Sequence, residues 1–388
     1  MVPLLAGLVV GCAGRQVRPT TPSGEVVTME EMRIVARDGQ GGRTIESYDA
    51  ADLFARATDL LNAEQCDEAV PLYDRLVAEF PASRYLSPAL YNAGLCLQAV
   101  GRFEPSAERY RSLRRRLPKS PDYRDASFQF AEVLVQLERF DEVIEVADEL
   151  LALSDLTSDE RLEAMARRGQ GLLGTGDVDQ AQKYARGALA YYRTRTEADA
   201  VADEFFVAAS NYVLAETHRI KAQAMSFPEG TEEQRKILIR RAELLLEAQR
   251  EYFNTMRLTH LDNFHWSSAA LYRIGHMYDE LWHAVMGAPL PPELPPEGER
   301  PYRQELAKLI KPLMRHAIRY WEMTLLYFDD KGVHNRWTEQ TKKDLARVRE
   351  LMLEQPPGPG GLPAEVQPSP TEAPPREPSH PKPARGSV

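Results

Sequence analysis

Cysteine is scarce in this sequence, which has only Cys12, Cys66 and Cys96 in 388 residues. Three cysteines exclude a disulfide-framework fold and a zinc site built from paired Cys-x-x-Cys motifs. If Cys12 has a separate use, Cys66 and Cys96 could form one disulfide in an oxidising compartment. We favour the other interpretation, in which both pack unpaired as small apolar residues, because two cysteines give no framework pattern.

The sequence also has fewer basic than acidic side chains. Lys and Arg total 48 against 58 Asp and Glu, so the formal net charge is −10 and the pI is about 5.5. Proteins that hold nucleic acid neutralise its phosphates with an excess of Lys and Arg. We therefore expect no DNA or RNA partner.

The motifs that mark common active sites are missing as well. The sequence has no Gly-rich phosphate loop, no Gly-x-Ser-x-Gly elbow and no His-Glu-x-x-His motif. His276 and His283 stand seven residues apart, with Asp279 and Glu280 between them, whereas zinc ligands on a helix stand three or four apart and need a third ligand. We predict no enzyme activity, no metal, no cofactor and no small-molecule substrate.

The N-terminus has no apolar run long enough to cross a membrane. The chain begins MVPLLAGLVVGC and is apolar only from Val2 to Gly11, far below the roughly 20 residues of a spanning helix. Such a short segment is typical of a secretory signal, and Val9-Val10-Gly11-Cys12 resembles a bacterial lipobox. The resemblance implies cleavage before Cys12, a diacylglycerol on its thiol and, with Ala13 next, an outer-membrane anchor that faces the periplasm. The alternative is a chance apolar start on a cytosolic protein.

Both ends of the remaining chain have polar compositions. Beyond a signal segment at 1–11, residues 12–48 show no sustained helical periodicity, which predicts a flexible tether. Residues 355–388 are dominated by Pro with Gly, Glu and Ser. Such a composition cannot bury enough apolar surface to offset the entropy of ordering, so a disordered, partly polyproline-II tail is expected.

Between these segments one pattern recurs four times. Each copy places a small residue in a first helix, then a turn, then a second helix whose central residues are Tyr73, Tyr110, Ala147 and Ala185. The steps between these four are 37, 37 and 38 residues. The small residues let paired helices approach closely, and a leucine three positions later fills the seam between them. The small residues are Ala57, Gly94, Ala131 and Gly169, and the leucines are Leu60, Leu97, Leu134 and Leu172.

The sequence from Ala89 to Gly94, ALYNAG, followed by Gly101-Arg102-Phe103-Glu104, resembles the tetratricopeptide (TPR) consensus. The resemblance implies an all-α solenoid of antiparallel helix pairs, with four regular repeats over 49–194. Over 195–354 the pattern is looser, with longer helices, a first helix around Gly275 and a charged capping helix at the end. By resemblance, the first helices line a concave face that holds a protein partner.

Candidate groove residues follow from the register of the repeats. Phe54, Tyr91 and Phe128 are spaced by 37 and 37, and form either an aromatic column open to a partner or core packing between first helices. Asn92 matches the family's carboxylate clamp, but Phe54, Thr58, Asp125 and Gln129 replace its other residues, so capture of a C-terminal carboxylate there is not expected. A neutral or mildly basic segment suits the remaining polar residues, which are Gln98, Glu132, Gln136 and Gln170.

Two further features admit two interpretations each. All four tryptophans lie between Tyr252 and Trp337, either as core or as a surface that stacks on peptidoglycan sugars. The basic run from Arg109 to Lys119 is either a solvated convex face or a contact for acidic headgroups.

Taken together, the sequence predicts a non-catalytic adaptor, lipid-anchored at Cys12, whose partners are other envelope proteins. The architecture resembles that of TPR lipoproteins of outer-membrane assembly and of gliding-motility complexes. The alternatives are a peptidoglycan-interacting envelope protein and a cytosolic TPR adaptor.

Overall fold

The computed structural model describes residues 31–39, 42–258 and 264–354. In this part the fold is α-helical apart from one hairpin, whose strands are β1 (Met32–Gly39) and β2 (Gly42–Asp49). The regular helices are α1 (Ala50–Asn62), α2 (Cys66–Glu79), α3 (Leu86–Ala99), α4 (Phe103–Arg116), α5 (Tyr123–Gln136), α6 (Phe140–Leu151), α7 (Ser158–Gly174) and α8 (Val178–Arg193). The longer helices are α9 (Phe205–Gln223), α10 (Thr231–Leu258), α11 (Phe264–Met286), α12 (Glu299–Asp329) and α13 (Arg336–Glu354). None of the helices described here is long and apolar enough to cross a membrane.

The hairpin corrects the tether interpretation for residues 32–39 and 42–48, while residues 12–30 of the predicted tether lie outside the described residues. β1 and β2 pair in antiparallel register, from Met32 opposite Asp49 to Gly39 opposite Gly42. One face of the hairpin rests on the first helix pair, where Tyr48 is buried and its hydroxyl donates to Glu79 Oε2 at 2.6 Å. Helix α1 begins directly after β2, because Asp49 and Asp52 form a reciprocal capping box. The hairpin therefore covers the N-terminal end of the helical array.

The turn inside each of the first four helix pairs repeats one backbone device. A residue with positive φ follows the first helix in every pair, and these residues are Glu64, Gly101, Glu138 and Gly176. Just beyond each of them a backbone N–H reaches back to a leucine carbonyl, the bond that closes a Schellman turn. The four leucines that accept these bonds are the predicted seam residues, Leu60, Leu97, Leu134 and Leu172. The turns therefore repeat with the same period as the core residues.

Close approach within a pair depends on the small residues. A Cβ added at Gly94 would lie 2.5 Å from Cε1 of Tyr110, so α3 and α4 pack with no room for a side chain there. Gly275 has the same role in the irregular half, where the indole of Trp321 on α12 covers it. The indole N–H of Trp321 donates to the carbonyl of Tyr272 at 3.1 Å, so this aromatic is fully satisfied inside the core.

The helices stack in chain order, each one packing on the next. In addition, the first helices of successive pairs contact one another, α1 with α3, α3 with α5, and onward to α11 with α13. The second helices do not pack on one another to a comparable extent in the described residues. The first helices therefore form an adjoining inner row and the second helices a spread outer row. The chain is an all-α, TPR-type solenoid of helix pairs whose C-terminal helices are longer, as the sequence predicted.

Cys66 and Cys96 form a disulfide between α2 and α3, with Cα atoms 5.0 Å apart. Both side chains are buried, which fits the small-apolar interpretation. They are nevertheless bonded, so our preference for two unpaired thiols is corrected. The reason is geometric, because neighbouring helix pairs bring two small core positions together that stand 30 residues apart in sequence.

Candidate functional site

The inner row contains the predicted aromatic column, but not as an open surface. Phe54, Tyr91 and Phe128 on α1, α3 and α5 are 7%, 6% and 0% exposed. Phe54 packs on the rings of Tyr73 and Tyr85, so its partners belong to neighbouring helices of the array. The structure supports core packing, and an apolar strip open to a partner is not formed by these three residues.

Polar residues of the first two repeats are tied to tyrosines of the second helices. The hydroxyl of Tyr73 lies 3.1 Å from Thr58 Oγ1 and accepts a bond from Asn92 Nδ2 at 3.2 Å. Tyr110 donates to Gln98 Oε1 at 3.3 Å. Asn92 is 1% exposed, so this one match to the carboxylate clamp is held in an internal network that joins three helices.

The middle of the inner row carries a cluster of charge and amide groups. Glu132 on α5 is ion-paired with Arg167 on α7, and both side chains are largely buried. Gln136 donates to Glu132 at 3.2 Å, and Arg167 donates to Gln170 at 3.3 Å. Gln129 is buried beside them, and only Gln136 of this set is open to solvent. Arg167 compensates Glu132 but also lies 3.7 Å from Glu163 on its own helix, so these three side chains together keep one negative charge.

A second cluster joins α9 to α11. Arg219 on α9 donates to both carboxylate oxygens of Glu280 on α11, at 2.8 and 3.0 Å. Glu216 on α9 lies 2.9 Å from Arg219 and 3.2 Å from Arg273 on α11. His276 lies 3.3 Å from Glu280. Two carboxylates and two guanidinium groups therefore alternate across the boundary between two inner helices.

Burial and neighbouring charges shift the pKa of Glu216 in this cluster in opposite directions. Burial alone would raise the pKa of Glu216, but the charges of Arg273 and Arg219 outweigh it and lower the pKa below its usual range. The buried Tyr252 donates its hydroxyl to Glu216 as well. Burial, with the charge of Glu216, raises the pKa of Tyr212 to about 12. Glu216 thus stays ionised and the surrounding tyrosines stay neutral at ordinary pH.

The same pattern continues from α11 to the last helix. Asp279 on α11 is ion-paired with Arg347 on α13, and its side chain is 5% exposed. Tyr272 on α11 donates to Asp344 on α13 at 2.9 Å. Sequence analysis missed these links between inner helices, since their partners stand about two helices apart along the chain. We name the pairs Glu132–Arg167, Glu216–Arg273, Arg219–Glu280 and Asp279–Arg347 the inner ion-pair row.

His276 and His283, considered above as metal ligands, lie within α11, and three closely spaced glycines lie within α7. In the helices and turns that are described, no three His, Cys, Asp or Glu side chains are placed to hold a metal ion. Gly169, Gly171 and Gly174 match the G-x-G-x-x-G spacing, but they lie inside α7 and therefore do not form a phosphate-binding loop. A Cβ at Gly171 would meet Ile144 on α6 at 2.8 Å, so that glycine serves close helix packing.

The basic run lies on the outer helix α4 and is partly neutralised by its neighbours. Arg109 makes two bonds of 2.8 Å to Asp74 on α2. Arg111 bonds to Glu142 at 3.1 Å and Arg114 pairs with Glu149, both on α6. Three of the arginines therefore hold adjacent outer helices together.

The tryptophans belong mainly to the core. Trp266, Trp282 and Trp321 are 6%, 7% and 0% exposed, and Trp337 is half-buried against the guanidinium groups of Arg273 and Arg336. Buried indoles cannot stack on a sugar, so the peptidoglycan interpretation loses three of the four tryptophans on which it depended. Cys12, the predicted lipidation site, lies outside the described residues.

Comparison with known proteins gives structural likeness only. No family model matches the sequence, and no curated protein matches it. A tetratricopeptide repeat protein from Parabacteroides merdae ATCC 43184 is similar over 77% of this chain and 98% of its own, with 13% identity and a TM-score of 0.40. YrrB, described as a TPR protein with an unusual peptide-binding site, covers 52% of this chain and 91% of its own, with 16% identity and a TM-score of 0.36. MamA from Desulfovibrio magneticus RS-1 covers 52% of this chain and 97% of its own, with 13% identity and a TM-score of 0.36. At these low TM-scores the likeness adds nothing to what the helix pairs themselves show.

Proposed function

We propose that this chain is a non-catalytic protein-interaction scaffold, anchored by lipid on Cys12 to the outer membrane and facing the periplasm. The observation that carries the proposal is the continuous inner row of first helices, a long surface built by stacking rather than a closed pocket. Solenoids of this kind use such surfaces to hold partner proteins. The inner ion-pair row keeps its helices in register, so the surface is presented as one rigid face.

The location rests on two independent observations. Val9-Val10-Gly11-Cys12 resembles a lipobox after a short apolar segment. The disulfide between Cys66 and Cys96 fits an oxidising compartment, since such bonds are rare in the reducing cytosol. Together they favour the periplasm over the cytosolic alternative. The complexes that the architecture resembles are those of outer-membrane assembly and of gliding motility, and the partners are envelope proteins.

The anchor is tested by the Cys12→Ala substitution followed by detergent phase partition of cell extracts. Wild type is expected in the detergent phase and the variant in the aqueous phase, because one thiol carries the lipid. Cys66→Ala with Cys96→Ala serves as the control, since it removes the other two cysteines but leaves Cys12. An aqueous wild-type protein, or a variant that stays with the detergent, would overturn the anchor.

The scaffold role is tested on protein released from envelopes in mild detergent. We expect wild type to migrate on native gels in an assembly larger than the 43.8 kDa chain, with at least one other polypeptide. A single species of the chain's own mass under all extraction conditions would contradict the scaffold proposal.

A further inference from the structure

A cleft lies beside the C-terminal half of the inner row. Its walls are the end of α9 and its connection to α10, one residue of α10, the C-terminal half of α11 with the segment that follows it, and one residue of α13. Its volume is about 770 Å³. Pockets that hold small ligands or short peptide side chains span roughly 300 to 1,000 Å³. Part of the wall is apolar, with Met225 and Phe227 from the connection. The cleft therefore has room for more than a single polar group.

Both carboxylates in the cleft are already compensated. Asp279 is ion-paired with Arg347, and His283 lies 3.4 Å from it. Glu280 is held by Arg219 at 2.8 Å and by His276 at 3.3 Å. These acids therefore leave no net negative charge for a cationic ligand.

One cation in the cleft, Arg241, has no carboxylate partner among the described residues. Arg241 on α10 is 5% exposed, and no carboxylate of the described residues lies within ion-pair distance of it. Its Nη1 donates to the carbonyl of Met225 at 3.0 Å, its Nε has no hydrogen-bond partner, and its guanidinium lies 5.3 Å from the ring of Phe227. A buried charge without a counter-ion is costly, since a carbonyl and a ring replace only part of its hydration. Burial accordingly lowers the pKa of Arg241, although the charge of Glu280 acts in the opposite direction.

We propose that this cleft binds a carboxylate of a partner protein, an acidic side chain flanked by apolar residues, with Arg241 as its counter-ion. A guanidinium matches a carboxylate in shape and charge, whereas a phosphate dianion would meet Asp279 and Glu280 without a second free cation. Met225 and Phe227 accept the apolar flanks. The proposal rests on the scaffold function and names a chemistry for one of its contacts.

The test uses purified wild-type protein and two pools of acetylated, amidated pentapeptides. One pool has Glu at the centre, the other Gln, and both carry Ala, Val, Leu, Met or Phe at the flanking positions. Titration calorimetry should show at least tenfold tighter binding of the Glu pool. Equal affinity for the two pools, or no binding of the Glu pool at 1 mM, would overturn the proposal.

Substitutions test whether Arg241 causes the preference for the Glu peptides. Arg241→Met should remove the preference for Glu, while Arg240→Met, which removes an exposed arginine next to it that pairs with Glu243 at 2.8 Å, should keep the preference. Retention of the preference in Arg241→Met would overturn the assignment. Should Arg241→Met fail to fold, Arg241→Lys tests the same point, because loss of the planar fork should weaken the preference.

Small anions separate a peptide site from a general anion site. Acetate should compete only weakly and phosphate no better than acetate. Phosphate that displaces the Glu pool more strongly than acetate would overturn a peptide carboxylate in favour of an inorganic anion. This binding does not depend on the lipid or on envelope partners, so failure here and failure of the anchor or scaffold experiments are separate results.

Discussion

Nη1 of Arg219 on α9 lies 2.8 Å from Oε1 of Glu280 on α11, although the two residues stand 61 positions apart. This contact joins two inner helices that belong to successive pairs. It also draws Glu216 and Arg273 into one buried group of alternating charge. The irregular half of the solenoid is thus fastened by ion pairs across its inner helices, in addition to apolar packing.

Removal of one charge from this group should be strongly destabilising. Glu216 is 4% exposed, and Glu216→Gln would leave Arg219 and Arg273 with too little negative charge inside the protein. Breaking a buried pair in this way costs about 3 to 5 kcal/mol. Urea unfolding followed by circular dichroism measures the loss. The matched control is Glu232→Gln, which breaks an exposed pair with Arg235 and should leave the free energy of unfolding nearly unchanged. Equal effects of the two substitutions would show that the buried group does not stabilise the fold.

Two glycines on helices should respond in opposite directions to alanine. Gly94→Ala places a methyl group 2.5 Å from the ring of Tyr110, so α3 and α4 must separate, at a cost of about 1 to 3 kcal/mol. Gly187→Ala on α8 places it at an ordinary 3.6 Å from Met165, so the gain in helix propensity should stabilise by up to about 1 kcal/mol. Thermal unfolding of both variants distinguishes these outcomes. A Gly94→Ala protein as stable as wild type would contradict the tight packing.

Stability should fall as the pH drops from 6.5 towards 4. Burial, with the charges of Arg336 and Arg167, lowers the pKa of His265 to about 4, although Glu132 acts in the opposite direction. The unfolded chain therefore binds a proton in this window before the folded protein does, and protonation favours unfolding. The contribution of His265 is on the order of 3 kcal/mol.

His265→Phe keeps the ring contact with Trp266 but cannot titrate, so its free energy of unfolding should depend less on pH. Some slope should remain, because burial also lowers the pKa of His218. The exposed His334→Phe is the control for the replacement of an imidazole by a phenyl ring. Urea titrations at pH 7, 6 and 5 provide the comparison. An unchanged slope in His265→Phe would refute the assignment.

Reduction of the disulfide should lower stability. Cys66 and Cys96 close a segment of 30 residues, for which the loss of loop entropy in the unfolded state corresponds to about 3 to 4 kcal/mol. Unfolding with and without reductant measures the difference. The Cys66→Ala, Cys96→Ala protein should be insensitive to reductant. Alkylation of both thiols in the unreduced wild type would show that the bond is not formed.

The regular half of the fold could be predicted because its period is carried by many residues at once. Gly94, Leu97 and Tyr110 each have a fixed place in the pair, so a step of 37 fixes the helices and turns. The hairpin was not predicted because Ile34 and Ile45, one on each strand, face solvent. The strands therefore lack the alternation of buried apolar and exposed polar residues that predicts a strand.

The candidate site was less predictable for a different reason. Phe54, Tyr91 and Phe128 share a helix position, but spacing alone does not distinguish a groove from the core behind it. Arg167 and Arg273 pair with carboxylates on other helices. Because an arginine side chain is long, no local sequence pattern specifies which carboxylate it reaches. The same holds for Arg241, whose lack of a carboxylate partner is visible only once the chain is folded.

The central claim is that the inner row is the face that holds partner proteins. The most direct measurement is photo-crosslinking in living cells from a benzoylphenylalanine placed at Gln136, which is exposed on α5, and at Lys183, which is exposed on the outer helix α8. The account predicts a discrete crosslinked envelope protein from Gln136 and none from Lys183. A partner captured only from Lys183, or equally from both positions, would contradict it.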